Sequence, residues 1–359
     1  MKKIISLLFT VFLVIIPNCI QPPRPYGDKP QPVIIAGKID NYEPNWQVII
    51  GVNRIGFTPD LITAKTDSAG NFKATFESYI PLDAWITYKT NFLVLLHPGD
   101  SLFVQFDGIY NDSPELLKSI VFGGDAAEKN RYAAIFQQMC FSSASDWDTK
   151  RKAVKEYDVE QYLQYLDTLQ QKCTTIYEQF VAENSPDDES RNWARLLSEK
   201  DYYHYLGWYV NNRRQTNLTG WNDTWDVPRG FYDRLCNRLP IEPSMLVSAY
   251  ALNDFTDVFS RYVNDRLRDR TTGVGWHVFP GGILSGSPEI VDSVKIYSTI
   301  EFVSDPLLRQ IMLTRFFHQN FEIYNFAVYK RFRDVADQYI KEPFLREPLV
   351  NKYLQYNKN

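Results

Sequence analysis

The spacing of the apolar residues changes near Gly124, and this change limits the fold more than any other feature of the sequence. Before Gly124 apolar and polar residues alternate, as they do from Phe72 to Glu77, which is typical of half-buried strands. After it apolar residues recur every three to four positions, as they do from Tyr132 to Cys140, which is typical of amphipathic helices. The sequence therefore predicts an α+β protein of two domains: an N-terminal antiparallel β-sandwich over 33–124 and an α-helical domain over 125–359.

Turn residues separate the short strand-like runs of the first region. Asp67 to Asn71 form a polar turn cluster, and His97 to Asp100 carry Pro and Gly at the two central positions of a type II turn. The run from Phe92 to Leu96 is apolar throughout, which predicts a strand that is covered on both faces. Regular alternation of short strands and turns favours an antiparallel sandwich.

Capping residues and prolines mark the helices of the second region. Asp125 with Glu128, and Asp158 with Gln161, have the spacing of a capping box. Ser185 is followed by a proline and two acids, which predicts a helix that Ser185 caps. Further helices are predicted to begin at Pro243, Pro288 and Pro306, and a last one to carry an apolar face from Tyr324 to Tyr339.

Residues 1–19 have the layout of a secretory signal peptide that ends on Cys19. Its apolar run, Ile4 to Ile16, is shorter than the about 20 residues of a spanning helix, so we expect export with cleavage. Cys19 is either the lipidated first residue of a bacterial lipoprotein or an incidental thiol beside a cleavage site. The Pro-rich residues 20–32 suit a tether and favour the lipid anchor. The residues that follow Cys19 lack an acidic run, which predicts an anchor that faces the periplasm.

Charge and cysteine spacing exclude several functions. The net charge is −4, and loss of Lys2 and Lys3 with the leader lowers it to −6, so there is no basic surface for nucleic acid. Beyond the leader, Cys140, Cys173 and Cys236 have no CxxC spacing, and we expect buried structural thiols. There is no metal-binding motif and no nucleophile–base set. The sequence thus predicts no cofactor, no metal and no catalytic residues.

Aromatic residues are concentrated between Trp193 and Tyr232, among amide and guanidinium side chains. Such a mixture can stack on sugars or peptides, but Trp and Tyr also fill helical cores. Helical spacing explains Trp193 and Trp208 as core residues, whereas the later tryptophans fall in a predicted loop. The candidate ligand contacts are Trp221, Trp225, Arg213 and Arg214.

Three segments of the chain, 67–72, 92–102 and 122–132, resemble one known family. The segments are a turn and strand, a hairpin around His97 to Asp100, and a Gly-Gly-Asp helix start. This family comprises the exported TlpA/ResA-like thiol-disulfide oxidoreductases of the Bacteroidetes that carry an extra N-terminal domain. The resemblance implies that a thioredoxin domain with a CxxC pair follows the helices. The sequence stops where that domain is expected, so no catalytic residue can be carried over.

These observations favour a non-catalytic lipoprotein of the cell envelope that binds or scaffolds a protein or glycan. The alternative is the accessory region of a thiol-disulfide oxidoreductase whose thioredoxin domain is truncated, lost or on a separate chain. A third hypothesis, a hydrolase built around Trp221 and Trp225, requires a pocket lined there by paired carboxylates.

Overall fold

A curled sheet of eight strands forms the first part of the chain, and helices packed against it form most of the rest. The helical region also contains a two-stranded antiparallel sheet of Trp276–Phe279 and Ile283–Gly286, where the sequence predicted helices and connectors alone. The computed structural model describes residues 27–143, 147–216, 226–270, 275–279, 282–324 and 326–356. The predicted mixture of a strand-rich region followed by a helix-rich region, an α+β fold, is confirmed.

The strands lie across the sheet in the order β6-β5-β2-β3-β4-β1-β7-β8. Neighbouring strands are antiparallel except β1 and β7, which are parallel, so the prediction of a wholly antiparallel arrangement is wrong for that pair. Strand β4 pairs with one edge of β1, and β7 pairs with the other edge. Because β6 lies at the opposite end of the sheet, the chain crosses the sheet between β6 and β7. The strands are β1 (Gln31–Asp40), β2 (Val48–Val52), β3 (Asp60–Thr66), β4 (Asn71–Ser78), β5 (Leu82–Thr87), β6 (Asn91–Leu96), β7 (Ser101–Asp107) and β8 (Val121–Gly123).

The helices begin with a short one inside the strand region and continue to the end of the described chain. They are α1 (Ser113–Ser119), α2 (Ala127–Ser143), α3 (Trp147–Glu156), α4 (Val159–Asn184), α5 (Asp188–Thr216), α6 (Ala249–Asp265), α7 (Pro288–Phe302), α8 (Pro306–Tyr324), α9 (Ala327–Arg331), α10 (Arg333–Tyr339) and α11 (Pro343–Tyr356). Short 3₁₀ helices cover Phe231–Arg238, Pro243–Val247 and Arg268–Arg270. Pro243, Pro288 and Pro306 thus begin helices as predicted. None of the described helices is both long enough and apolar enough to cross a bilayer.

Strand β6 is covered on both faces, as its apolar run predicts. Phe92, Val94 and Leu96 belong to the core inside the curled sheet. Leu93 and Leu95 belong to the core that the sheet shares with the helices. The alternation of side chains along a strand sends these two sets to opposite faces.

Two side chains of α2 cover the open edge of β6. Asn130 Oδ1 accepts a hydrogen bond from the Leu95 N–H at 2.8 Å, and Asn130 Nδ2 donates to the Leu95 carbonyl at 2.8 Å. Gln137 forms the equivalent pair with the backbone of Leu93, at 2.8 and 3.0 Å. Residues seven apart lie on one face of a helix, and here that face replaces a neighbouring strand.

The turn from His97 to Asp100 forms as predicted, but it does not close a hairpin. Gly99 has a φ of +92°, which a type II turn requires, and the Asp100 N–H donates to the His97 carbonyl at 2.9 Å. The hairpin prediction is wrong because β6 pairs with β5 while β7 pairs with β1 and β8. The turn instead carries the chain from one edge strand to a distant position in the sheet.

Asp83 of β5 joins the sheet to the helices. Its fully buried carboxylate accepts hydrogen bonds from Ser248 Oγ at 2.6 Å and from the Tyr250 N–H at 3.1 Å. Asn53 Nδ2 at 3.1 Å and Trp193 Nε1 at 3.3 Å complete the set. Burial raises the pKa of Asp83, although these four donors oppose the rise. Trp193 is itself completely buried, as the core interpretation predicts.

The capping box of α4 is confirmed, and the one proposed for α2 is wrong. The Asp158 side chain accepts from the Gln161 N–H at 2.9 Å, and the Gln161 side chain accepts from the Asp158 N–H at 3.1 Å. Asp125 instead accepts from the hydroxyl of Ser101 at 2.7 Å and from its N–H at 3.3 Å. A strand residue 24 positions away is thus the better donor, and its hydrogen bonds lower the pKa of Asp125.

Ser185 ends α4 and does not cap α5, contrary to prediction. Its φ of +47° places it in the left-handed region, and its N–H donates to the Val181 carbonyl. Asp187 takes the capping role, because its carboxylate accepts from the Ser190 N–H at 2.8 Å.

The apolar face predicted from Tyr324 to Tyr339 does not lie on one helix. Helix α8 ends at Tyr324, and the short helices α9 and α10 follow. Phe326 has a φ of +64° and is 6% exposed, with its ring 4.0 Å from that of Phe321. Burial of this ring accompanies the break in the helix.

Candidate functional site

Helices α4 and α5 pack along each other, and each contributes residues to two recesses on opposite sides of the pair. On each helix the two sets of lining residues are offset by about half a turn, so they lie on opposite faces. We call the recess between this pair and the 3₁₀ helix Phe231–Arg238 the polar groove. We call the recess between the pair, α2 and strands β5 and β6 the apolar pocket.

The polar groove is an open recess of about 530 Å³. Its lining combines amide, guanidinium, carboxylate and phenol groups, and few aliphatic ones. Helix α4 supplies Asp167, Gln170, Gln171 and Thr174, and α5 supplies Arg195, Glu199, Tyr202 and Tyr203. The 3₁₀ helix supplies Arg234, Asn237 and Arg238.

Ion pairs fix the guanidinium groups of the groove. Arg234 Nη1 donates to Asp167 Oδ1 at 2.9 Å and to the Tyr202 hydroxyl at 3.0 Å. Arg238, only 9% exposed, lies 2.5 Å from Glu199 Oε2, while Arg195 lies 3.4 Å from Glu199 Oε1. Burial raises the pKa of Glu199, against the opposing charges of the two arginines. Both carboxylate oxygens are therefore already engaged.

Other polar groups of the groove are not engaged. Gln170 Oε1 is buried and accepts no hydrogen bond from the described residues, although Gln170 Nε2 donates to Thr174 at 3.3 Å. The side-chain amides of Gln171 and Asn237 line the groove, and no hydrogen bond joins either to another described residue. The groove thus contains guanidinium groups held in ion pairs next to side-chain amides that form no hydrogen bond with the described residues.

The apolar pocket is about 260 Å³ in volume, and its walls are mostly hydrocarbon and sulfur. Strands β5 and β6 contribute Trp85 and Leu93, and α4 contributes Leu169 and Ile176. Cys140 of α2 and Cys173 of α4 also line it.

The thiols of this pocket are held in the neutral form. Burial raises the pKa of Cys140 to about 12, and the neighbouring Cys173 adds to the rise. Burial also raises the pKa of Cys173. Both cysteines are free thiols and partly buried, so they act as wall residues and not as reactive thiolates. Cys236 is also a partly buried free thiol.

The residues singled out from the sequence do not line either recess where they can be described. Arg213 donates to the carbonyls of Val154 and Tyr157 and so joins α5 to the end of α3. Arg214 lies in α5, but its side chain lies outside the described residues. Trp221, Trp225 and Cys19 also lie outside the described residues.

None of the described residues that line the polar groove is among the four candidate ligand contacts predicted from the sequence. Arg195, Glu199, Tyr202 and Tyr203 fall between Trp193 and Tyr232, at helical positions i, i+4, i+7 and i+8. Residues at this spacing lie along one face of a helix, so the polar face of α5 can be recognised from the sequence. Its partners on α4 and on the 3₁₀ helix come from about 30 residues before or after it, so only the packing identifies them.

Within the described ranges no cluster of three or more His, Cys, Asp or Glu side chains could hold a metal ion. No protein-family model, curated protein or solved structure matches this chain. The resemblance to the exported thiol-disulfide oxidoreductases therefore stays a prediction.

Proposed function

We propose that this chain is a non-catalytic binding module of the cell envelope and that its polar groove binds a glycan. On this proposal the chain is exported and is held by a lipid on Cys19 at a membrane surface that faces the periplasm. The observation that carries the proposal is the combination of open amides, fixed guanidinium groups and two tyrosines in one recess.

The chemistry of the groove suits sugar hydroxyls, which both donate and accept hydrogen bonds. The side-chain amides of Gln171 and Asn237, which line the groove, offer both donors and acceptors. Tyr202 and Tyr203 present rings at 5.4 Å and perpendicular to each other, one of which can stack on a pyranose face. Because ion pairs already fix the arginines, little side-chain entropy is lost on binding.

The carboxylates of the groove favour binding over hydrolysis. A glycosidase needs one carboxyl group free to donate a proton and a second free to act as base or nucleophile. Arginines hold both oxygens of Glu199, and Arg234 holds Asp167. Glu199 therefore cannot transfer a proton without breaking an ion pair, and one oxygen of Asp167 is held in the same way.

Calorimetric titration of the purified mature protein with soluble peptidoglycan fragments and envelope oligosaccharides tests the proposal. The double variant Gln171→Ala with Asn237→Ala should bind at least about tenfold more weakly, because each lost hydrogen bond is worth about 1 kcal/mol. Gln179→Ala, an exposed glutamine elsewhere on α4, is the matched control and should bind as the parent does. Binding that the double variant leaves unchanged, or no binding across the panel, would exclude the groove as a glycan site.

The alternative is an accessory role for a thioredoxin domain on another chain or further along this one. The raised pKa values of Cys140 and Cys173 favour a partner domain, and not these thiols, as the carrier of any redox step. A pull-down of the tagged mature protein from its own envelope fraction distinguishes the two. Specific recovery of a thioredoxin-fold protein would replace the glycan proposal.

The lipid anchor and the finer division of the fold belong to the same proposal. Incorporation of labelled palmitate should disappear in Cys19→Ala.

We also infer that 33–124 is a sandwich domain and 125–359 a helical domain, because the sheet encloses a core that is distinct from the one it shares with the helices. Limited proteolysis should then cut near Gly124 and leave a folded fragment.

A further inference from the structure

We propose that the apolar pocket is a second binding site, for a small carboxylate with a medium-length apolar body, such as an alkanoate of about eight carbons. This site lies on the side of the α4–α5 pair opposite to the polar groove. The proposal goes beyond the proposed function and does not depend on glycan binding.

The size of the pocket sets the length of the ligand. A cavity of roughly 150 Å³ lined by apolar side chains holds benzene, so 260 Å³ has room for roughly ten non-hydrogen atoms. This is close to the lower limit for small-molecule pockets. Its position between a sheet and two long helices is also usual for such sites.

The walls offer an apolar body mainly hydrocarbon and sulfur surface. Leu93, Leu169, Ile176 and the ring of Trp85 supply hydrocarbon surface. The ring of Trp85 is held perpendicular to that of Tyr250 at 4.9 Å, which fixes one wall. The neutral thiol of Cys173 behaves as a further small apolar group.

The rim carries an excess of positive charge. Lys150, Lys172 and Lys200 line the pocket together with a single acid, Asp201. Lys200 lies 3.7 Å from Asp201 and 3.5 Å from Asp254, and Lys150 lies 4.0 Å from Asp201.

Lys172 differs from the other two lysines. It lies on the exposed side of α4, and no ion pair joins it to another described residue. A carboxylate at the rim would therefore meet an ammonium group that is not already paired. Apolar walls below and uncommitted positive charge above match an alkanoate.

Calorimetry of the full mature chain with a series of alkanoates tests the size of the site. Affinity should rise about fourfold with each methylene from butyrate to octanoate, because burial of one CH₂ is worth that factor. It should then level off beyond decanoate, when the pocket is full. Affinity that keeps rising through dodecanoate indicates adsorption to the surface and overturns the proposal, as does the absence of octanoate binding at millimolar concentration.

Variants of the wall and the rim test the position of the site. Cys173→Phe fills the pocket and should abolish octanoate binding, while Lys172→Glu should weaken it at least threefold without a large effect on the fold. Lys155→Glu makes the same charge change on exposed α3 and is the control. Octanol lacks the carboxylate, so it should bind the parent more weakly than octanoate does. Its affinity for Lys172→Glu should equal its affinity for the parent. Octanoate binding that both pocket variants leave unchanged places the ligand elsewhere.

Discussion

The two recesses of the α4–α5 pair use neighbouring residues of the same helices for opposite chemistry. On α4, Gln171 lines the polar groove while Lys172 and Cys173 line the apolar pocket. On α5, Glu199 lies in the groove and Lys200 at the rim of the pocket. The 3.6-residue period sends consecutive side chains about 100° apart, so one pair of helices can serve two ligands of different polarity.

The difference between the recesses lies in how their polar groups are satisfied. In the groove, Arg238 and Glu199 neutralise each other in a partly buried pair. In the pocket, burial raises the pKa values of Cys140 and Cys173, so these two thiols carry no charge. The groove is therefore a set of fixed charges, and the pocket is a low-dielectric space bordered by charges.

The largest expected effect concerns thiol reactivity in the pocket. Because the thiolate is the nucleophile and the pKa of Cys140 is raised to about 12, the thiolate fraction at pH 8 falls by about a thousandfold relative to free cysteine. A thiolate of higher pKa is more nucleophilic, which offsets part of this loss, so maleimide should label Cys140 on the order of a hundredfold more slowly. Timed labelling followed by peptide mass spectrometry measures the rate. In guanidinium chloride the rate should return to that of free cysteine. Fast labelling of the folded chain would show that the pocket wall is not apolar.

Loss of the buried ion pair should give the largest change in stability. Glu199→Ala leaves Arg238 buried without its partner and should lower the free energy of unfolding by about 3–5 kcal/mol. Urea denaturation followed by circular dichroism measures the change. Glu178→Ala, on the exposed surface of α4, should change the free energy by less than about 0.5 kcal/mol. A small effect at Glu199 would mean that the groove does not depend on this pair.

Truncation of a side chain in the wall of the apolar pocket should lower the free energy of unfolding somewhat less than loss of the ion pair does. Leu169 is 8% exposed, and Leu169→Ala should lower the free energy of unfolding by about 2–4 kcal/mol, through lost apolar burial and an enlarged cavity. The neighbouring groove variant Gln171→Ala should be nearly neutral, within about 0.5 kcal/mol. Equal costs at the two positions would contradict the assignment of opposite chemistry to the two faces of α4.

The cap of α4 stabilises both recesses, and its loss should have a moderate effect. Asp158→Ala removes the acceptor for the Gln161 N–H and should lower the free energy of unfolding by about 1 kcal/mol. Asp158→Asn keeps an acceptor and should be close to neutral. If the two variants behave alike, the hydrogen bond of the cap does not contribute.

The smallest expected effect is a pH dependence at Asp254, the ion-pair partner of Lys200. Burial alone would raise the pKa of Asp254, but a hydrogen bond with His204 and the charge of Lys200 outweigh it and hold this pKa below its usual value. A carboxylate with a lowered pKa stabilises the folded state above its ordinary pKa of about 4, and this contribution disappears as the pH falls through the folded-state value. The parent should therefore lose more stability than Asp254→Asn between pH 5 and pH 2, in urea titrations at each pH.

Strands β4 and β6 were predicted from the sequence because their signals are local, whereas β3, β5 and β8 were not predicted. The alternation in β4 and the apolar run of β6 need only the period of a strand and the turns beside it. The capping box at Asp158 and the helix starts at Pro243, Pro288 and Pro306 also depend on residues within one turn. Such features follow from backbone geometry and do not depend on distant parts of the chain.

Two of the failures share one cause, which is competition from residues far away in the sequence. Asp125 has the spacing of a cap, but Ser101 supplies two hydrogen bonds to it. The His97 turn has hairpin residues, yet Asn130 and Gln137 take the edge of β6 that β7 would otherwise occupy. Neither donor can be identified from local spacing.

The sequence by itself determined the order of the strand and helix regions and the turns, because each depends on periodicity or residue type within a few positions. Only the tertiary structure decided which surfaces became recesses. The polar groove needs α4, α5 and the 3₁₀ helix Phe231–Arg238, and the apolar pocket needs the same helices with α2, β5 and β6. A recess depends on the shape left between packed elements, and that shape is a property of contacts between residues distant in the chain.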